Sequence, residues 1–335
     1  MRTLAIAALA FTIAVLAGGA HGATPPLLSA SQPSWSPDGT QLAFSGAVPG
    51  SGRSDVYTIA RSGGVPSNLT ATDDEPNHLF PAWSPRGAEV ASGSELGGPT
   101  TNHEAYSVTT VLDHVTKHVA TSNAIGPISW SRDARWLAID DREAAIVARA
   151  DASGQRPVAI GCCGVWSKST LRLALSIEHT TGNGGTDVYL VNAAGRVLER
   201  LTRPPKHRIK GAPLAIDNTP LAWSRDGSRL LFWSTRAGRV GLYVMHADGS
   251  RQVRVATGKA GDIAPRGTAV VYSGKGIWIV GANGKHAHRI SPNGTAPRWS
   301  PDGQWIAYSV TRPSGASGID LVRPDGTQRH ALVGS

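Results

Sequence analysis

Short apolar runs separated by turn residues follow one another along most of the chain. Runs at residues 42–44 and 306–308 are rich in β-forming side chains, and a variable polar stretch separates each of them from a second run. Asp248-Gly249 stands between two such runs, and this dipeptide favours a tight hairpin because both central residues of the turn need positive φ. The pattern predicts an all-β protein of short antiparallel strands.

A unit beginning with Trp-Ser recurs along the chain, and a seventh, decayed copy at Ile263 has isoleucine in the tryptophan position. The seven copies have a mean period of about 44 residues, which is typical of four-stranded propeller blades. We therefore expect a β-propeller of seven four-stranded blades, or of six if the copy at Ile263 lies outside the ring. The six tryptophans of the motif are Trp35, Trp83, Trp130, Trp166, Trp223 and Trp299.

The residues around these tryptophans have a structural interpretation. In a Ser-Pro-Asp-Gly turn the proline presets φ, the aspartate can accept backbone hydrogen bonds and the glycine closes the turn. The tryptophan offers a large apolar ring that we expect to pack between successive blades. Turn chemistry accounts for every position, so we favour it over a calcium or phosphate loop.

The repeated units resemble the WD40-like (PD40) repeats of the TolB propeller family, which are also similar to the propeller modules of prolyl-oligopeptidase-type enzymes. Trp35-Ser36-Pro37-Asp38-Gly39 carries the resemblance most clearly, and the similarity extends over residues 33–333. TolB-like periplasmic proteins have an α/β domain before the propeller. Too few residues precede Trp35 for such a domain, so we expect it to be absent together with its partner-docking segment, and no residues remain for a hydrolase domain.

The N-terminus has the pattern of a secretory signal peptide. A positive residue, Arg2, precedes an apolar run at residues 4–17, which is too short to cross a bilayer comfortably. Small residues at positions 20 and 22 favour cleavage before Ala23; the alternative is an uncleaved anchor. We predict a secreted protein, extracellular or in the periplasm and cell envelope, without a membrane span in its mature form.

This interpretation divides the chain into three parts. Residues 1–22 form the signal peptide, residues 23–32 form a short lead-in, and residues 33–335 form a single β-propeller domain.

Only two cysteines are present, which excludes a disulfide framework and a cysteine-based zinc fold. Cys162-Cys163 can form a vicinal disulfide or remain as two small buried thiols, and we favour the thiols.

The charge of the chain is basic, with 33 Lys and Arg against 24 Asp and Glu, a formal net charge of +9. Such a charge favours anionic partners without establishing one, because the basic residues are scattered. They also lack the interleaved aromatic residues of single-strand binders, so nucleic acid is a poor candidate. We expect a monomer whose partner is a protein, a peptide or an anionic envelope polymer.

Motifs for catalysis are lacking in the sequence. No Gly-x-Ser-x-Gly nucleophile elbow occurs, and His103-Glu104 is followed by Ser107 where a zinc protease needs its second histidine. His286 and His288 have a spacing that a metal could use, but two solvated side chains are the favoured interpretation. We therefore predict no catalytic residue, metal ligand or cofactor.

Long variable loops are expected on one face of the propeller, where binding usually resides. The densest basic segment lies at residues 206–210, and its alternative interpretation is a solvated loop. We predict a non-catalytic binding module; the alternatives are a propeller-type lyase or hydrolase with its site in the central channel, and a sensor module. The candidate binding residues of the loops and channel are Arg53, His78, His103, Glu178, His179, Lys206, His207, Arg208, Lys210, Asp262 and Arg298.

Overall fold

The computed structural model describes residues 29–334 apart from positions 49, 72–76, 96–103, 123–125, 141–143, 160, 180–183, 204–214 and 259. The predicted signal peptide lies outside the described residues. Within the described part, all regular secondary structure is β-strand, and no helix capable of crossing a membrane is found there.

Twenty-eight strands form seven four-stranded sheets, so the seven predicted blades are confirmed. Blades 1 and 2 contain β1 Ser29–Trp35, β2 Gln41–Ala47, β3 Asp55–Ala60, β4 Ser67–Asn68, β5 Leu79–Trp83, β6 Glu89–Glu95, β7 Glu104–Thr110 and β8 Thr116–Ser122. Blades 3 and 4 contain β9 Ser129–Trp130, β10 Trp136–Asp140, β11 Ala145–Arg149, β12 Gln155–Ala159, β13 Gly161–Trp166, β14 Arg172–Glu178, β15 Thr186–Asn192 and β16 Val197–Arg200. Blades 5 to 7 contain β17 Asn218–Trp223, β18 Arg229–Ser234, β19 Gly241–His246, β20 Val253–Thr257, β21 Gly261–Ile263, β22 Ala269–Gly274, β23 Gly276–Gly281, β24 His288–Ser291, β25 Thr295–Trp299, β26 Ile306–Thr311, β27 Ser317–Val322 and β28 His330–Val333.

Each blade is an antiparallel sheet of four strands that are consecutive in the chain. The first and last blades therefore share no strand, and side-chain packing and hydrogen bonds close the ring between them. Phe44 of blade 1 belongs to the same buried cluster as Ile319 of blade 7. The backbone N–H of Gln32 also donates to Ser309 Oγ at 3.1 Å across this junction. The decayed copy at Ile263 begins a complete blade 6, so the six-blade alternative is excluded.

The apolar core lies between blades and not at a single centre. Trp130 packs in one cluster with Ala91 and Tyr106 of blade 2, and Ile263 takes the tryptophan position in a cluster with Leu231 of blade 5. Trp130 and Trp166 are 1% and 0% exposed. The predicted wedge role is confirmed, because each side chain fills the space between two sheets.

The turn after the tryptophan also has its predicted chemistry. In blade 1, Ser36 Oγ donates to Asp38 Oδ1 at 2.6 Å, and the same oxygen accepts the Thr40 N–H at 3.0 Å. Gly39 has a φ of 72°, a left-handed conformation that glycine adopts at little cost. The aspartate therefore closes a hairpin, as expected from the sequence.

The prediction that the two cysteines remain as buried thiols is wrong. Cys162 and Cys163 are joined in a vicinal disulfide on β13, and both residues are only half-buried. A bulge interrupts the pairing of β13 with β14 between Cys162 and Val165, and Cys163 has a φ of 63°. The irregular backbone at the bulge allows adjacent cysteines to approach each other where a regular strand would point them to opposite faces.

Candidate functional site

The propeller has two faces and a central channel that differ in construction. In an antiparallel four-stranded sheet, the turns joining strands one to two and three to four lie on one side, which we call the turn face. The loops joining strands two to three and the connections between blades lie on the other side, the loop face. The first strands of neighbouring blades contact one another, for example β1 with β5 and β5 with β9, and they line the channel.

At six of the seven blade junctions, the last channel-lining residue before the tryptophan, or before Ile263 in blade 6, is hydrogen-bonded to the next blade. Where this residue has an acceptor side chain, it accepts the backbone N–H of the next blade's tryptophan. Ser34 Oγ accepts from Trp83 at 3.2 Å, and Ser129 Oγ accepts from Trp166 at 2.9 Å. The same bond joins Asp262 to the backbone N–H of Trp299 at 2.9 Å.

Where the side chain before the tryptophan has no acceptor, the indole ring makes the contact instead. Trp130 Nε1 donates to the backbone carbonyl of Ala82 at 2.8 Å, and Trp223 Nε1 donates to that of Val165 at 3.1 Å. Trp35 Nε1 completes the set by donating to the carbonyl of Arg298 at 3.1 Å across the ring closure. The polar groups at the tryptophan end of the channel wall are thus largely used to join blades.

Asp262 and Arg298, the two predicted channel residues, have different surroundings. Asp262 accepts the backbone N–H of Ile263 through Oδ1 at 2.9 Å and that of Trp299 through Oδ2. Burial raises the pKa of Asp262, while the Arg298 and Lys168 cations oppose this shift. Arg298 is exposed, and its Nη1 donates to the carbonyl of Pro297 at 3.1 Å. Asp262 is therefore a structural group, whereas Arg298 presents a cation to the channel.

Arg53 is placed on the loop face of blade 1 in a network around Asp55. Its Nε donates to Asp55 Oδ1 at 3.0 Å, and Asn68 Nδ2 donates to Asp55 Oδ2 at 2.8 Å. The side chain of Arg53 is 29% exposed and that of Asp55 is 12% exposed. The network links strand three of the blade to strand four and leaves part of the guanidinium open to solvent.

His179 occupies the corresponding place in blade 4, next to Asp187. The Asp187 carboxylate is 1% exposed and contacts His179 Nε2 at 2.8 Å and Arg200 Nε at 2.9 Å. Thr202 Oγ1 and Asn218 Nδ2 donate to the other carboxylate oxygen at 2.6 and 3.1 Å. Because Asn218 belongs to blade 5, this network also fastens two blades together.

Sequence reasoning missed Asp55 and Asp187, the centres of these two networks. Both begin an Asp-Val-Tyr run at the start of a third strand, so the signal was present in the repeats. The predicted binding residues Arg53 and His179 are the partners of these aspartates. Their position shows that a charged loop residue can hold a blade together and still border the loop face.

The remaining predicted site residues do not form one cluster. His78 is 0% exposed, and its Nδ1 lies 3.3 Å from Ser92 Oγ, so its ring lies inside the fold. Glu178 is exposed at the end of β14. Five predicted residues lie outside the described part of the chain: His103, Lys206, His207, Arg208 and Lys210.

A metal centre finds no support among the described residues. No group of three or more His, Cys, Asp and Glu side chains suited to a metal ion occurs there. His286 and His288 are both exposed, and only His288 lies within β24. His288 Nε2 lies 3.1 Å from the carbonyl of Pro324.

Comparison with known families matches the chain to a model described as PD40, the TolB beta propeller domain, over residues 158–333, just over half of the chain. Among solved structures, the chain is similar to TolB from Acinetobacter baumannii, with 15% identity and a TM-score of 0.56. The match covers 89% of this chain and 64% of that TolB. The chain thus spans less than two thirds of that protein's length.

Two other solved structures have propellers that match this chain over most of both lengths. The β-propeller domain of the trilobed protease from Pyrococcus furiosus, described as having an open velcro topology, has a TM-score of 0.66 at 12% identity and covers 91% of this chain and 98% of that domain. An oligogalacturonate lyase from Vibrio parahaemolyticus has a TM-score of 0.61 at 12% identity, with 89% of each chain covered. At such identities these similarities concern the fold alone.

Proposed function

Because the chain belongs to the TolB β-propeller (PD40) family, we propose that it is an exported, non-catalytic binding module that recognises a protein, peptide or cell-envelope polymer through its loop face and the adjoining channel mouth. The proposal places the chain in the periplasm, the cell envelope or the extracellular medium. The propeller supplies a stiff scaffold, and the connections on the loop face supply the contacts.

The use of the channel's polar side chains supports binding over catalysis. Ser34, Ser129 and Asp262 each accept a backbone N–H from the next blade, so their oxygens are committed to holding the ring. A hydrolytic or lytic site needs convergent acid, base or metal-binding groups within reach of one substrate. The described acceptor side chains of the channel wall are instead already bonded to protein.

The loop face offers charged groups held in defined positions. Arg53 remains 29% exposed while bonded to Asp55, and Arg200 remains 33% exposed while bonded to the buried Asp187. Charged side chains held in this way lose little conformational freedom on binding, which favours recognition. An anionic group of a partner would find these cations preorganised.

The basic loop segment provides a direct test of this proposal. Changing Lys206, Arg208 and Lys210 to Ala should weaken binding to isolated anionic envelope polymer and make the remaining binding less dependent on salt. The matched control changes three exposed cations of the turn face, Arg86, Arg196 and Arg266, to Ala. Both variants lose the same charge, so a difference between them reports the location of the binding surface.

Two results would contradict the proposal. Equal weakening in both triple variants would indicate diffuse charge attraction with no loop-face site. Cleavage of the polymer by the purified mature protein, followed by product release, would favour the alternative of a channel enzyme.

A further inference from the structure

One position of the repeated turn divides the seven blades into two groups. The residue after Trp-Ser, or after Ile-Ala in blade 6, is proline in four blades: Pro37, Pro85, Pro265 and Pro301. Three consecutive blades, 3 to 5, have Arg132, Lys168 and Arg225 instead, and all three side chains are exposed. We call these three residues the cationic arc.

Arg225 shows that this position lies at the mouth of the channel on the turn face. Its Nη1 donates to the carbonyl of Pro37 at 3.3 Å, although the two residues belong to blades 5 and 1, on opposite sides of the ring. The mouth is therefore narrow enough for one arginine side chain to cross. A folded partner cannot enter an opening of this width, but a small molecule can reach the arc.

Lys168 interacts electrostatically with both Asp262 and Arg225. Desolvation by the surrounding blades lowers the pKa of Lys168, the Asp262 carboxylate raises it, and the Arg225 cation lowers it by a smaller amount. The side chain still reaches solvent in the mouth. Two cations thus share a partly desolvated space, where their mutual repulsion is weakly screened.

Within the described part of the chain, no ion pair engages the cations of the arc, Arg132, Lys168 and Arg225. Asp262 is the nearby acid, and both of its oxygens already accept backbone N–H groups. The Pro37 carbonyl that Arg225 contacts is neutral, and a guanidinium binds an anionic oxygen more strongly than a carbonyl.

We propose that the cationic arc binds a compact oligoanion, a small molecule carrying several closely spaced phosphate or carboxylate groups, at the turn-face mouth of the channel. Arginine presents paired N–H donors that match either group, and lysine adds a point charge. The ligand relieves the repulsion between Lys168 and Arg225 and replaces the Pro37 carbonyl as the acceptor for Arg225. This site lies on the face opposite the loops and does not depend on the function proposed for them.

The other blades suggest a substitution that should remove the arc and preserve the fold. Proline occupies the same position in four blades, and no backbone hydrogen bond among the described residues uses the N–H of Arg132, Lys168 or Arg225. The triple variant R132P/K168P/R225P therefore removes the arc and places in these turns the residue that four other blades already have at this position. The control K117Q/R196Q/K285Q removes three exposed cations near the outer turns of the same face.

Calorimetric titration of the mature chain with tripolyphosphate and with citrate at low salt tests the proposal. We expect saturable binding of at least one probe, weakened by about tenfold or more in the proline variant and unchanged in the control. The stronger probe identifies the phosphate or the carboxylate class. If circular dichroism shows that the proline variant is unfolded, R132Q/K168Q/R225Q takes its place. Absence of binding to both probes, or equal weakening in the control, would overturn the proposal, and neither result bears on the loop face.

Discussion

Where the next blade begins with a tryptophan, the residue before the tryptophan position decides how the two blades are joined. A serine or aspartate at this position accepts the backbone N–H of the next tryptophan, as Ser129 does for Trp166. An alanine, valine or arginine leaves its own carbonyl to accept from the indole, as Ala82 does for Trp130. Each arrangement provides an acceptor for an N–H donor; burying that donor without a partner would cost about 1–3 kcal/mol.

Two almost fully buried tryptophans that differ in their ring hydrogen bond provide a comparison. Trp130 donates its Nε1–H, whereas Trp166 Nε1 has no acceptor among the described residues. Both changes to Phe shrink the side chain, but only Trp130→Phe also leaves a carbonyl without its donor. We expect Trp130→Phe to lower the free energy of unfolding by about 1 kcal/mol more than Trp166→Phe, measured by urea denaturation. Equal losses would mean that the indole bond contributes nothing to stability.

At the scale of strands, the end of β10 supports the irregular start of β13. Asp140 Oδ1 accepts the backbone N–H of Cys163 at 2.5 Å, from the strand in blade 3 to the disulfide-bearing strand in blade 4. Desolvation raises the pKa of Asp140 to about 6, while hydrogen bonds from the Cys163 and Gly164 backbone oppose the shift. The carboxylate holds the bulge in position, but its ionisation in this buried place is unfavourable.

This raised pKa predicts a pH-dependent effect of Asp140→Asn. The pKa of the Asp140 carboxyl is higher in the folded protein than its ordinary value of 3.8, so folding opposes its ionisation. The wild type therefore loses stability relative to the variant as the pH rises from 4 through 6. The asparagine oxygen can still accept the Cys163 N–H. We expect the variant to match the wild type at pH 4 and to exceed its stability by about 2 kcal/mol at pH 7. Urea denaturation at both values measures the difference.

Asp38→Asn serves as a control because its effect on stability should change with pH in the opposite direction. The Ser36 hydroxyl and the Thr40 backbone hold the pKa of Asp38 below its ordinary value, so its contribution is present at neutral pH and lost in acid. The Asp38 variant should therefore be less stable than the wild type at pH 7 and approach it in acid. The interpretation of Asp140 fails if both variants show the same pH dependence.

For the whole molecule, ring closure depends on side chains because blades 1 and 7 share no strand. The clusters between blades repeat around the ring, and the one at the junction contains residues from both ends of the chain. In an open repeat array each unit contacts only its neighbours, so the two end units have one stabilising interface fewer than the others. A closed ring has no free end from which unfolding can begin.

A double-mutant cycle across the junction tests this closure. Phe44 and Ile319 are both 0% exposed in one cluster, and Ile319→Ala alone should cost about 2–5 kcal/mol. We expect the effects of Phe44→Leu and Ile319→Ala on the free energy of unfolding to depart from additivity by at least about 0.5 kcal/mol, as measured by denaturant unfolding. The control cycle pairs Phe44→Leu with Val244→Ala, in a different cluster, and should be additive. Additivity in the first cycle would indicate that blades 1 and 7 are not packed together.

The number of blades and the chemistry of their turns could be predicted from the sequence because both depend on residues close together in the chain. Trp35, the Ser36–Asp38 pair and Gly39 form one hairpin, and the same unit recurs at a constant period. Even the degenerate copy at Ile263 retained enough of this local pattern to specify a blade. The wedge position of the tryptophans followed from their size and their place in the repeat.

Only the tertiary structure decided what the charged residues do, because their partners are distant in the chain. Arg225 and Pro37 are 188 positions apart and meet across the channel, while Asp187 and Asn218 join two blades. Whether a cation pairs with a buried carboxylate, as Arg200 does, or faces an open channel mouth, as Lys168 does, depends on how the ring brings separate blades together. The burial and neighbours that determine a charge's role exist only once the seven sheets have closed.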